Sequence, residues 1–213
     1  MEAQFWHERW QENRIGFHQD KPNALLVGYI GTLELNAGDR VFVPLCGKTL
    51  DIGWLRGQGF RVAGAELSEI AVAQLFEDLG IVPEISVRGT LSAYRADGLE
   101  IFVGDIFDLT AEMLGPVDAV FDRAALVALP SEMRIRYAAN LVAISRKARQ
   151  LLIAFDYDQS VMAGPPFSVP DTEVETLYAD TFRMEKLTGT PVEGGLKGMC
   201  PAQANLWMLS ANP

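Results

Sequence analysis

Arg40-Val41-Phe42-Val43-Pro44-Leu45-Cys46-Gly47-Lys48, followed by Phe60-Arg61-Val62-Ala63-Gly64-Ala65-Glu66, is the stretch that decides the fold. Residues 40–44 are a short β-rich run stopped by proline. After a glycine-containing loop, Thr49–Gln58 has helical spacing at Ile52 and Leu55. Gly57 and Gly59 end that helix, and Phe60–Ala65 reads as a second strand closed by Glu66. Strand, loop, helix and strand in this order predict a βαβ unit with parallel strands.

The alternation continues downstream. Ser68-Glu69 open a helix to about Leu79, where Gly80 and Pro83 stop it. Leu99–Val103 and Val117–Phe121 read as strands, and Ser131–Ser145 reads as an amphipathic helix after Pro130. Gln150–Asp156 is almost continuously apolar, as expected of a strand buried on both faces. Helical signals over Thr172–Ala179 precede two final strands, Phe182–Leu187 and Asn205–Ser210, expected to pair antiparallel at one edge. Ile85–Ala96 carries no recognisable pattern. The loop Thr188–Ala204 is rich in Gly and Pro, and Lys197 is its one basic residue. The prediction is a doubly wound, mostly parallel seven-stranded α/β sheet of Rossmann-like type. Residues 1–36 form a helical cover ahead of it: Phe5, Trp6 and Trp10, then Ile15–His18, then Asn23–Leu33. Such an extension can pack on the carboxyl edge of the sheet, where ligands bind in these folds, and act as a lid.

Composition bounds the function. The 213 residues, 49% of them hydrophobic, suit one domain spanning 1–213. The formal charge of -10 disfavours nucleic acid and anionic membrane as partners, because phosphate binding needs clustered Lys and Arg. Cys46 and Cys200 have no spacing that builds a zinc site, so no metal is expected. The start Met1-Glu2-Ala3-Gln4-Phe5-Trp6 does not read as a secretory signal, and no run approaches the roughly 18 apolar residues of a membrane span. The expectation is a cytoplasmic monomer acting on a small molecule.

A nucleoside-type ligand in this fold needs backbone freedom after the first strand and an acceptor for ribose hydroxyls at the end of the second. Gly47 and Glu66 supply the two at a fitting spacing. A turn glycine and a solvated strand-terminal acid would leave the same pattern. The loop lacks G-x-G-x-x-G, so no pyrophosphate seat is written. Asp105 and Ile106, after the strand Leu99–Val103, offer an acceptor for an amine and an apolar wall for a ring, although Asp105 equally suits a cap on the next turn. Arg123 follows another strand and can bind a carboxylate or an anionic nucleophile, with pairing to Asp122 or Asp118 as the competing fate. Trp6 and Trp10 share a helix face, and their π faces attract a cation. His7 and His18 support no relay. Cys46 reads as a buried small hydrophobe, and Lys48 as a solvent-facing residue at a helix start.

Several segments together resemble the thiopurine S-methyltransferase family, in particular its bacterial branch. They are Phe5-Trp6-His7 with Gly16-Phe17-His18-Gln19, Val43–Lys48 with Leu50-Asp51, Gly64–Ser68, Asp122–Leu126, Asp156–Gln159 and Gly164–Val169. The resemblance implies S-adenosylmethionine as cofactor, contacted by Trp10, Leu45, Glu66, Ile106 and Arg123, with Trp6 and Asp105 in the same pocket. It implies that Phe17 packs against an aromatic acceptor and that Arg123, the catalytic candidate, stands close to the reacting sulfur. Thiols, or selenium and tellurium compounds, are the implied acceptors. An O- or N-methyltransferase, a nucleotide-dependent oxidoreductase and a non-catalytic cofactor binder are the competing readings. The absent glycine fingerprint disfavours the oxidoreductase.

Overall fold

The computed structural model describes residues 3–16 and 18–212. Helices α1 (Ala3–Gln11) and α2 (Ala24–Tyr29) come first, then β1 (Arg40–Pro44), α3 (Leu50–Gly57), β2 (Arg61–Glu66) and α4 (Glu69–Asp78). A hairpin of β3 (Glu84–Arg88) and β4 (Leu91–Ala96) leads into β5 (Leu99–Val103), α5 (Ala111–Leu114), β6 (Ala119–Arg123) and α6 (Ser131–Ile144). β7 (Arg149–Tyr157), α7 (Asp171–Tyr178), β8 (Phe182–Pro191) and β9 (Ala202–Ala211) complete the chain. Side-chain caps fix several helix starts. Asn23 accepts from the amides of Leu25 and Leu26, Thr49 from Asp51, and Ser68 from Ala71. Each cap is worth ~1 kcal/mol.

All nine strands form one sheet in the order β3-β4-β5-β2-β1-β6-β7-β9-β8. β5, β2, β1, β6 and β7 run parallel, while β3, β4, β9 and β8 pair antiparallel at the two edges. The strand order reverses between β1 and β6, which opens a crevice at their carboxyl ends. Both faces are covered. In β1, Phe42 enters one apolar cluster and Val41 and Val43 the other, and Leu151–Ala154 of β7 are buried throughout, as the unbroken apolar run predicts.

The seven expected strands are present, and the sheet gains two more. The extra pair is the β3–β4 hairpin, in the stretch that showed no pattern. β3 is an edge strand whose Ile85 and Val87 are exposed alongside Glu84 and Arg88, so no alternation marks it. The turn Gly89-Thr90, with Gly89 at φ +64°, was the available signal. The loop expected at 188–204 shrinks, because β8 extends to Pro191 through a bulge between Lys186 and Thr188, and β9 starts at Ala202. No helix among the described residues is long and apolar enough to cross a membrane.

β6 turns Asp122 into the core, where it accepts from the Tyr137 hydroxyl at 2.7 Å and the Leu126 amide at 3.1 Å. Burial pushes its carboxyl up to about 6, against the pull of those donors. A pKa raised in the folded state means the native protein holds its proton where the unfolded chain has released it. Stability from this group is therefore full below about pH 4 and is lost as pH rises to about 6, by up to ~3 kcal/mol. Asp122→Asn removes that titration. In urea denaturation the variant gains on the wild type by that amount between pH 4 and 7, and a constant difference would mean that Asp122 does not titrate there.

Candidate active site

The loop after β1 reverses sharply, with Leu45 at φ 45° and Gly47 at φ 53°. Glu66, the last residue of β2, is buried and holds this loop. Its Oε2 accepts from the Gly47 amide at 2.7 Å and its Oε1 from the Ser68 amide at 2.9 Å. Burial pushes the Glu66 carboxyl up while these backbone donors pull it down. The Leu67 amide acts on the carboxylate as well, and the acceptor capacity left over can take a ligand hydroxyl.

Trp10 of α1 is buried against Gly47. A Cβ at position 47 would lie 3.0 Å from Trp10 Cζ2. Left-handed φ and close approach both demand glycine here. Gly47→Ala is expected to cost 1–2 kcal/mol or more from the backbone conformation and to lift Trp10 off the loop. Urea denaturation reads the first effect and cofactor titration the second.

Asp51 pulls the N-terminal segment onto the same corner. Its Oδ1 accepts from the Asn23 amide at 2.7 Å and its Oδ2 from the Thr49 hydroxyl at 2.8 Å. It also faces Arg123, whose pKa is lowered by burial and raised by the charge of Asp51. Sequence reasoning assigned Asp51 no role, although an acid in the first turn of a helix that follows a ligand loop was a usable signal. Asp122 and Asp118, the competing partners for Arg123, are engaged elsewhere: Asp122 with Tyr137, and Asp118 with the Arg40 amide at 2.7 Å.

Asp105 is exposed and caps the turn Ile106–Asp108, accepting from the Phe107 amide at 3.0 Å, so its capping role is realised. Ile106 is buried. Cys46 is a buried thiol whose pKa is raised well above normal by burial and then by Glu66, which leaves it a neutral packing group. Lys48 does not face solvent: its Nζ lies 3.2 Å from Asp78 Oδ2, with the side chain 17% exposed. Phe17 lies outside the described residues.

Trp6, Trp10, Leu45, Glu66, Asp105, Ile106 and Arg123 all line one cavity of about 1120 Å³. The cavity spans the sheet edge. One half lies over the ends of β5, β2 and β1, and Arg123 stands at its middle. The other half lies over Phe155 of β7, Ala204 of β9 and Thr190 of β8, walled by Pro165, Pro166 and Leu196. Single-ligand pockets run to roughly 1,000 Å³, and this cavity is at the upper end of that range.

The family model for thiopurine S-methyltransferase matches residues 1–195. The chain belongs to this family. It is 58% identical to the thiopurine S-methyltransferase of Xanthobacter autotrophicus, over 98% of this chain and 99% of that one. It is 49% identical to that of Teredinibacter turnerae, over 100% and 99% of the two chains. Among solved structures, it resembles 1,6-didemethyltoxoflavin-N1-methyltransferase of Burkholderia thailandensis, with a TM-score of 0.64 and 16% identity over 99% of this chain and 87% of that one. A TehB-like S-adenosylmethionine-dependent methyltransferase of Corynebacterium glutamicum superposes with a TM-score of 0.57 at 15% identity, over 99% and 98%. The last two similarities bear on the fold alone. As a member of the family the chain is a methyltransferase, and its cofactor is S-adenosylmethionine.

The residues present fit that cofactor. Glu66 is a buried carboxylate with acceptor capacity to spare, suited to a ribose diol. Leu45 and Ile106 are apolar walls, and Trp6 and Trp10 bring aromatic rings to a cavity that would receive a sulfonium.

Proposed function

We propose that this enzyme transfers a methyl group from S-adenosylmethionine to the sulfur of aromatic or heterocyclic thiols, thiopurines included. The observation that carries the reading is the two-part cavity, with Glu66 in one half and Arg123 between the halves. When bound, the cofactor supplies an electrophilic methyl group on a positively charged sulfur. Everything else falls to the protein. Glu66 accepts the ribose hydroxyls, Ile106 and Leu45 pack on the apolar surfaces, and Asp105 accepts from an amine with the capacity its cap leaves over. Trp10 and Trp6 close over the cation from α1, and residues 1–36 act as the lid. Asp51 anchors that lid at Asn23.

Arg123 holds the acceptor as a thiolate through charge-assisted hydrogen bonds, and the family resemblance assigns Phe17 to the acceptor. Alignment and exclusion of water then account for the chemistry. No covalent enzyme intermediate is required. Soft selenium and tellurium nucleophiles suit the same pocket. The acidic chain, with both cysteines free and buried, fits a monomer working in the cytoplasm on small molecules, with neither nucleic acid nor membrane as partner. A radiolabelled methyl assay on panels of aromatic thiols, selenite and tellurite tests the reading, alongside calorimetric titration with the cofactor. Cofactor binding without transfer to any acceptor would leave a binding protein instead of an enzyme of this specificity.

A further inference from the structure

Arg123 enters the cavity from the end of β6, and the residue before it carries an acid that the transfer step does not use. Asp122 is completely buried, and among the described residues no cation pairs with it. Its carboxylate meets hydrogen-bond donors only. The Tyr137 hydroxyl of α6 donates at 2.7 Å and the Leu126 amide at 3.1 Å, and the Ala125 amide pulls on it as well. Tyr137 and Tyr178 are both buried, and burial followed by the charge of Asp122 keeps their hydroxyls protonated. Because burial pushes the Asp122 carboxyl up to about 6, the ionised acid costs the fold stability at neutral pH. A buried acid kept against stability marks a demand other than folding.

The geometry shows what the acid holds. Its contacts to the Ala125 and Leu126 amides run forward past Arg123 and Ala124 and close residues 122–126 into one turn. Ala124 stands in that turn at φ 60°, a left-handed conformation that costs a side-chain-bearing residue energy. The helical turn Leu126–Ala128 begins at Ala125, which has no side-chain acceptor to cap it, and Asp122 does so from upstream. Ala124, Val127 and Ala128 line the cavity beside Arg123, and the Phe167 amide donates to the Val127 carbonyl at 2.6 Å. On the other side Tyr137 is fixed in α6, which Arg134 ties down through Glu173 and the Leu129 carbonyl. Asp51 acts on the guanidinium by its charge, whereas Asp122 grips the backbone that carries it.

We propose that Asp122, held by Tyr137, is the positioning residue for Arg123: it fixes the turn 122–126 so that the guanidinium meets the acceptor sulfur. Resting on the assignment of Arg123 as the group that holds the thiolate, this role gives Asp122 no contact with either ligand. A loosened turn misplaces Arg123 and slows transfer, since small errors of alignment are costly. Cofactor binding changes less, because Glu66 and the loop after β1 stand on other strands.

The test compares Asp122→Asn and Tyr137→Phe with the wild type, each alone and combined with Arg123→Ala, using 6-mercaptopurine at pH 7 as acceptor. Asp122→Asn is expected to lower kcat about fivefold or more and Tyr137→Phe by about threefold, with calorimetric affinity for S-adenosylmethionine within about threefold of the wild type. In the Arg123→Ala background the same substitutions cost less than about twofold, because the group they position is gone. Urea denaturation shows Asp122→Asn gaining stability on the wild type as pH rises from 4 to 7, so the lost turnover does not follow from a lost fold. Unchanged kcat in Asp122→Asn, or equal losses with and without Arg123, overturns the proposal. Should the wild type methylate no thiol, the function fails, and the Arg123 Nε–Hε signal in ¹⁵N NMR, assigned by its absence in Arg123→Lys, still decides the positioning. A shifted or broadened signal in Asp122→Asn supports it, and an unchanged one overturns it. If Asp122→Asn does not fold, Tyr137→Phe, which keeps the ring in the core, is read in the same ways.

Discussion

Glu66→Gln is expected to weaken binding of S-adenosylmethionine about 100-fold or more. The carboxylate has four acceptor positions, and two already serve the Gly47 and Ser68 amides. Glutamine supplies one oxygen and one NH₂. Its NH₂ must oppose one of those two backbone donors, which leaves a buried N–H unsatisfied at ~1–3 kcal/mol. The ligand hydroxyls lose charge-assisted bonds worth roughly as much again. Calorimetry measures the affinity, and a cooperative unfolding transition shows that the variant is folded. Affinity within threefold of the wild type would remove Glu66 from the cofactor site. The same group predicts a pH effect. Burial raises the Glu66 pKa, so cofactor affinity falls as pH drops through that raised value.

Arg123→Ala is expected to lower turnover at pH 7 by about 10- to 100-fold for thiols that ionise above pH 7, while cofactor affinity changes less. The guanidinium is set between the two halves of the cavity, with burial lowering its pKa and Asp51 opposing that. A positive charge beside a thiol favours its ionised form by roughly one to two pKa units, or about 1.4–2.8 kcal/mol. Without it, the acidic limb of the pH–rate profile moves to higher pH by that amount, and the loss shrinks when the assay is run near pH 9. Arg123→Lys keeps the charge without the fork and falls between the two. Full turnover in Arg123→Ala with normal cofactor binding would sink the assignment.

Asp51 and the N-terminal segment explain why these effects should be large. The N-terminal segment reaches the loop after β1 through the Asn23 amide and through Trp10 on Gly47. A change in that loop therefore disturbs the cavity wall and the N-terminal segment together. Backbone donors, a left-handed loop and a packed indole constrain one another, and no single contact carries the site.

Local sequence made most of the fold legible. Val41–Val43 and Leu151–Phe155 are apolar runs bounded by Pro or polar residues, so their strand character follows from composition over a few residues. The caps Asn23, Thr49 and Ser68 stand directly before the helices they start. Glu66, Ile106 and Arg123 were found at strand ends because parallel sheets bind ligands there, and the family resemblance named the ligand. The β3–β4 hairpin escaped because an edge strand exposed on both faces has no burial pattern to display.

The pairings across the chain were not legible. Glu66 with Gly47 is 19 residues apart, Asp51 with Asn23 is 28, and Lys48 with Asp78 is 30. Nothing local to Lys48 marks Asp78 as its partner. The amino-acid sequence determined which residues form the loop after β1, because strand, turn and cap preferences act over a few residues, while the family resemblance named the cofactor. Only the tertiary structure decided which charges are compensated and which face the cavity, because ion pairing and desolvation depend on distances that chain folding alone creates.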